Sequence, residues 1–126
     1  MQPRIATASD DCMVEAATEV LGGKWKLVIL RHLLPGTRRF GELRRAIPGV
    51  TARMLTRQLR ELEADGLVQR TVYAQVPPKV EYSLTPIGAS LREITDRLEE
   101  WGHWYRNQVS QPNTHTVLAN EAPASH

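Results

Sequence analysis

Arg53, Thr56, Arg57 and Arg60 recur at spacings of 3, 1 and 3, while Leu55, Leu59 and Leu62 recur at 4 and 3. On a helix of 3.6 residues per turn these sets fall on opposite faces. The leucines belong against a core; the other face carries donors. An arginine fork can bridge O6 and N7 of guanine in a DNA major groove. A threonine methyl can touch the methyl of thymine, and its hydroxyl takes either kind of hydrogen bond. Ala52, just ahead, is small enough to allow close approach. The set Ala52, Arg53, Thr56 and Arg57 is therefore the candidate base-reading group. Arg60 lies further along and can pair with Glu63, so it is assigned to phosphate or to structure.

Dense phosphate charge needs cations around such a helix, because neutralising it releases counterions. Arg38, Arg39, Arg44, Arg45 and Lys79 suit that task, and Thr51 at the helix start can offer a hydroxyl and an amide to a phosphate. The charge distribution agrees. The 126-residue chain has a net charge of only +2, yet residues 38–79 hold nine basic against four acidic groups. The preceding segment is neutral, and residues 80–126 carry a net −3. A basic middle between neutral and acidic flanks marks a surface for a polyanion. The same arginines would also serve as an ordinary solvated face, paired with Glu61 or Glu63.

The elements that must position these groups can be read in order. Asp10 or Asp11 can cap a helix from about Cys12 to Leu21. Gly22-Gly23 interrupts it, and KWKLVILRHLL, residues 24–34, is apolar on nearly every side, which places it centrally. Thr37-Arg38-Arg39 can make a short strand. FGELRRAI, residues 40–47, is a third helix, and Pro48-Gly49 turns the chain into the arginine-bearing helix with Thr51 as its cap. Two short helices joined by a tight turn form a helix-turn-helix. Asp65-Gly66 ends the second. Residues 67–73 and 80–84 then alternate apolar and polar as a β-hairpin with Pro77-Pro78 at its tip, the wing of a winged helix. Thr85-Pro86 opens a last helix. Ile87, Leu91, Ile94, Leu98, Trp101 and Tyr105 repeat there at 4, 3, 4, 3 and 4, a heptad-like seam suited to a second copy of the chain. The expected organisation is a flexible arm at 1–11, one domain at 12–107 and a disordered tail at 108–126. The fold class is mainly α with a small β-hairpin, a winged helix-turn-helix with flanking N- and C-terminal dimerisation helices.

The segments GGKWKLVILRHLL, RRFGELRRAIPGVTARMLTRQLRELEADGLVQRTVY and VPPKVEYSLTPIGASL resemble the HxlR-type winged helix-turn-helix transcriptional regulators, over about Cys12 to Trp101. The resemblance implies a homodimer that binds a double-stranded DNA operator, acting as a repressor, with N- and C-terminal helices in the dimer. It also bears on Cys12. Members often begin their first helix Cys-Pro-Val/Ile-Glu, and in some the cysteine is a redox or electrophile sensor; here the residues are Cys12-Met13-Val14-Glu15. By residue type alone a lone cysteine is a small buried hydrophobe. By position it is a candidate sensor, with an oxidant or small molecule as effector.

Other chemistry is poorly supported. One cysteine excludes an internal disulfide, and no His, Asp and Glu cluster has metal spacing, so neither metal nor cofactor is expected. His32 is expected to be a packed residue. His103, among Trp101, Trp104 and Tyr105, is a weak candidate for an interface or effector pocket. No glycine-rich loop, nucleophile elbow or paired carboxylate points to an enzyme, and Cys12 has no placed histidine base. No apolar run approaches a membrane span, and the first residues lack a secretory h-region, which makes a cytoplasmic chain the simplest reading. The competing function is a winged-helix protein-interaction module without specific DNA binding.

Overall fold

Leu55, Leu59 and Leu62 are at most 1% exposed, and the elements around them are those that their burial requires. The computed structural model describes residues 12–110. In chain order these form α1 (Met13–Leu21), α2 (Lys26–Leu33), α3 (Phe40–Ala46), α4 (Ala52–Ala64), β1 (Val68–Tyr73), β2 (Lys79–Leu84), α5 (Pro86–Ala89) and α6 (Arg92–Val109). The architecture is the expected helical one with a single antiparallel hairpin. The described residues divide into two units between Thr95 and Asp96, the second being the outer turns of α6. The expected arm at 1–11 and the tail from 111 onward lie outside the described residues.

Ile29, Leu30 and Leu33 of α2 are buried with Leu43 of α3, Ile47 and the α4 leucines, so α2 is central as its composition demands. The α4 boundaries have clear causes. At the start, the Thr51 hydroxyl accepts the Met54 amide at 3.1 Å. At the end, Gly66 takes φ +79°, the left-handed region that costs other residues most. Its amide bonds the Glu63 carbonyl, and the next amide, of Leu67, bonds the Leu62 carbonyl at 2.9 Å. That Schellman pair satisfies carbonyls the helix would otherwise leave open and turns the chain into β1.

The hairpin pairs Val68 with Leu84 through to Tyr73 with Lys79. The short strand expected at 37–39 is a single bridge: Arg38 and Tyr82 exchange backbone hydrogen bonds of 2.9 and 2.8 Å. This stitches the entry of α3 to the hairpin.

Two expectations need correction. The first helix begins at Met13 with Cys12 at its N-cap, which makes no side-chain capping bond; Asp10 and Asp11 lie outside the described residues. The last helix is broken. Ser90 closes α5 by bonding the Pro86 and Ile87 carbonyls through its amide, and its hydroxyl takes the Ile87 carbonyl again. The next amide, of Leu91, bonds the Gly88 carbonyl three residues back at 3.1 Å, so the four-residue ladder stops, and Leu91 is buried in the chain's own core. Leu91 is therefore not an exposed seam residue, and Ile87 stands on a separate short helix. The first turn of α6 is tied to α2 by Arg31 Nη1 donating to Thr95 Oγ1 at 3.3 Å and Arg92 Nη2 donating to the Leu34 carbonyl at 3.2 Å.

The joint before α5 is tight. The Thr85 hydroxyl donates to the Gly66 carbonyl at 2.6 Å and accepts the Gly88 amide at 3.1 Å. Gly88 is buried, and a Cβ there would overlap the Leu67 carbonyl oxygen. Since the obstacle is backbone, it cannot rotate away. Gly88→Ala should destabilise the fold by about 1–3 kcal/mol, as overpacking does. Urea denaturation checks this; an unchanged midpoint would show that the joint can open without cost.

Candidate nucleic-acid interface

The outer face of α4 follows from the inner one. With the leucines buried, Ala52, Arg53, Thr56, Arg57, Arg60 and Glu61 line one open depression. All four candidate base-reading residues stand together there, Arg53 and Arg57 exposed and Ala52 and Thr56 half-buried. Thr51 is exposed at the helix start, its oxygen engaged as the cap.

The pairing foreseen between an arginine and Glu61 does occur. Arg57 Nε lies 3.6 Å from Glu61 Oε2, an ion-pair distance too long for a hydrogen bond, and the Arg57 side chain remains 79% exposed. The other carboxylate oxygen accepts a 3.0 Å hydrogen bond from Nζ of Lys26, which is buried at the start of α2. Sequence reading missed this lysine, because it took the helix as apolar and gave Lys26 no role.

Between α4 and the hairpin lies a second concavity, of about 380 Å³, lined by Thr56, Leu59, Arg60, Glu63, Arg70 and Tyr82. Arg70 was not singled out in the sequence. Its signal was its strand parity, which places it opposite Tyr82 in the hairpin register.

The candidate phosphate contacts stand on α3, its entry and the hairpin. Arg39 is exposed at the N-cap of α3, where its own amide donates to Glu42 Oε1 at 2.8 Å. Arg44 and Arg45 are exposed in the last turn of that helix, and Arg38 is half-buried at the bridge to Tyr82. Lys79 is more constrained than its sequence suggests. It lies 3.5 Å from Glu81 Oε2 and 5.0 Å from the centre of the Tyr73 ring. Antiparallel register places Tyr73 directly across from Lys79, and Glu81 two residues on shares its side of the strand. A hydrogen bond with the Glu81 carboxylate, and then that group's charge, push the Tyr73 phenol above its ordinary 10.0.

The remaining candidates separate by exposure. Cys12 is an exposed free thiol, not the buried hydrophobe its type suggests. His32 is half-buried in α2, and His103 is exposed on α6. Ile94, Leu98, Trp101 and Tyr105 keep their spacing on α6 and are each about half exposed. Trp101 stacks on Tyr105 with ring centres 5.0 Å apart and planes 12° apart. Among the described residues no group of three or more His, Cys, Asp or Glu could hold a metal, and no helix is long and apolar enough to cross a membrane.

A family described as HxlR-like helix-turn-helix matches residues 20–110. The chain is 54% identical over 112 residues to the uncharacterized HTH-type transcriptional regulator YybR of Bacillus subtilis strain 168, covering 89% of this chain and 90% of that protein. It is 58% identical over 96 residues to YtcD of the same organism, covering 76% of each. Among solved structures, the redox regulator HypR in its reduced form superposes with a TM-score of 0.75 at 52% identity, over 79% of this chain and 98% of that one. YodB of B. subtilis, also in a reduced form, superposes at 0.65 with 32% identity, over 81% of this chain and 96% of that one.

Proposed function

The chain belongs to the HxlR-like helix-turn-helix family and is a transcriptional regulator, and from that premise we propose that it is a homodimeric repressor reading an inverted-repeat operator through α4. The single observation that carries this reading is the two-sidedness of α4. Its leucines are sealed in the core, while Ala52, Arg53, Thr56 and Arg57 share one open surface. The first two turns of such a helix are where recognition residues meet base edges. Arg38, Arg39, Arg44, Arg45, Thr51 and Lys79 hold phosphates, and the pairing of Lys79 with Glu81 makes it the weakest of them. Arg57→Ala should cost about 1–3 kcal/mol on the operator and relax base preference at one position per half-site. Arg39→Ala should weaken all sequences alike and lower the slope of log affinity against log salt by about one unit. Fluorescence anisotropy on operator and scrambled duplexes separates the two. An Arg57→Ala protein with undiminished preference would rule out α4 as the reader. Salt-insensitive binding without preference would favour the protein-interaction module instead.

Dimerisation is assigned to α6. Ile94, Leu98, Trp101 and Tyr105 expose an apolar stripe at heptad spacing, the pattern that a second helix buries. Two copies would then present recognition helices about 34 Å apart, or a multiple of that, matching an inverted repeat. Leu98→Glu with Trp101→Glu should give a folded monomer with much weaker operator binding. Sedimentation at micromolar concentration decides, and a wild-type monomer would contradict the assignment.

The signal is assigned to Cys12, in the cytoplasm, through an oxidant or electrophile. Its exposure supports this, as does likeness to a protein named as a redox regulator. Modification switches binding only if it acts differently on the DNA-competent state. Diamide should change operator affinity of the wild type and leave Cys12→Ser untouched. Equal affinity before and after, with the adduct confirmed by mass, would reduce Cys12 to a surface residue.

A further inference from the structure

Lys26 and Glu61 form an unusual pair for a helix that reads DNA. An ammonium as buried as Lys26, whose side chain is 5% exposed, is costly without a counter-charge. Its hydrogen bond at 3.0 Å goes to Glu61 Oε1, on the exposed side of α4, so the Glu61 rotamer is gripped from inside the fold. The second oxygen then faces Arg57 Nε, one helical turn earlier, at 3.6 Å. If holding α2 against α4 were the whole purpose, two apolar side chains of similar size would do it as well or better. An apolar pair could not place a carboxylate edge beside an arginine.

We propose that Lys26 and Glu61 are positioning residues for base recognition, a relay that biases the exposed Arg57 guanidinium toward its reading orientation; this rests on the reading of Arg57 as a base contact. Guanidinium has one Nε–H and four terminal N–H donors. A carboxylate beside Nε leaves the Nη1/Nη2 fork, the pair of donors that fits O6 and N7 of guanine, unengaged by Glu61. An arginine held this way loses less side-chain freedom when it meets DNA. Lys26 also settles the charge. A lone Glu61 beside Arg57 would neutralise it on a face meant for phosphate. With Lys26 behind it, the three groups carry a net positive charge.

The test uses a duplex enriched by the full-length wild-type chain from a randomised pool, with a scrambled duplex of equal length. Lys26→Met and Glu61→Gln should each lower the ratio of operator to scrambled affinity by about 3- to 10-fold, part of what a bidentate arginine supplies. The loss should fall at the same base pair that Arg57→Ala relaxes, and neither variant should add to Arg57→Ala when combined with it. Glu61→Gln should at the same time bind scrambled DNA more tightly, because a carboxylate has left the interface. Lost folding would weaken both duplexes, so that opposite sign identifies positioning. Glu61→Gln leaves the buried Lys26 ammonium without its counter-charge, so should it melt early, Lys26→Met, which strands only the more exposed carboxylate, decides alone. The relay is overturned if the folded variant keeps full preference at that base pair, spreads its loss evenly over the site, or adds to Arg57→Ala. If Arg57→Ala itself keeps the preference, the base-contact reading fails first and the relay with it.

Discussion

Leu55, Leu59 and Leu62 are shut away from water along one line of α4, and this burial fixes the rotation of the helix about its own axis. Each buried leucine contributes about 1.5–3 kcal/mol, and truncating one to alanine in a packed core typically costs about 2–5 kcal/mol. Turning α4 by the 100° that separates successive residues would expose all three at once and put a glutamate, Glu61 or Glu63, in place of Leu62 in the core. Thr51 and the Gly66 turn set where the helix starts and stops. With rotation and ends both fixed, the outward direction of Ala52, Arg53, Thr56 and Arg57 is a consequence.

The other elements hold that helix in place from three sides. Core residues of α2 and α3 pack beneath it. The hairpin leaves from its C-terminus and is stitched to the entry of α3 through Arg38 and Tyr82. The Thr85 hydroxyl returns to the Gly66 carbonyl and closes the circuit. Through Lys26 and Glu61, α2 also holds α4 at its polar edge. The same α2 holds the first turn of α6 through Arg31 and Thr95 and through the Leu34 carbonyl and Arg92. One short helix thus bears on both α4 and the base of the helix with the exposed apolar stripe.

Much of this was legible in the sequence because it rests on local rules. Periodicity gave the two faces of α4, Pro48-Gly49 and Asp65-Gly66 gave its limits, and alternation gave the hairpin. Where the sequence misled, a longer-range contact had overridden a local pattern. The spacing of Ile87 and Leu91 continues the α6 seam perfectly, but Gly88 sits against the Leu67 carbonyl, the helix is interrupted at Ser90, and Leu91 packs in the core. Lys26 had no role in an apolar helix, since nothing in the sequence shows that Glu61, 35 residues on, will meet it. Lys79 looked unencumbered for the same reason; only the strand register reveals Tyr73 and Glu81 as its neighbours. Charged side chains find partners through tertiary geometry, which periodicity does not encode.

The central claim is that the exposed face of α4 enters the DNA groove, and it can be observed without altering a residue. Nuclear magnetic resonance of the backbone amides and arginine Nε–H groups, recorded as operator duplex is added, reports which surface is covered. The account predicts the largest changes at residues 51–60, with the Nε–H signals of Arg53 and Arg57 among them, and smaller ones along the hairpin. Changes confined to other surfaces, with the α4 amides and both arginine signals unmoved at saturation, would contradict it.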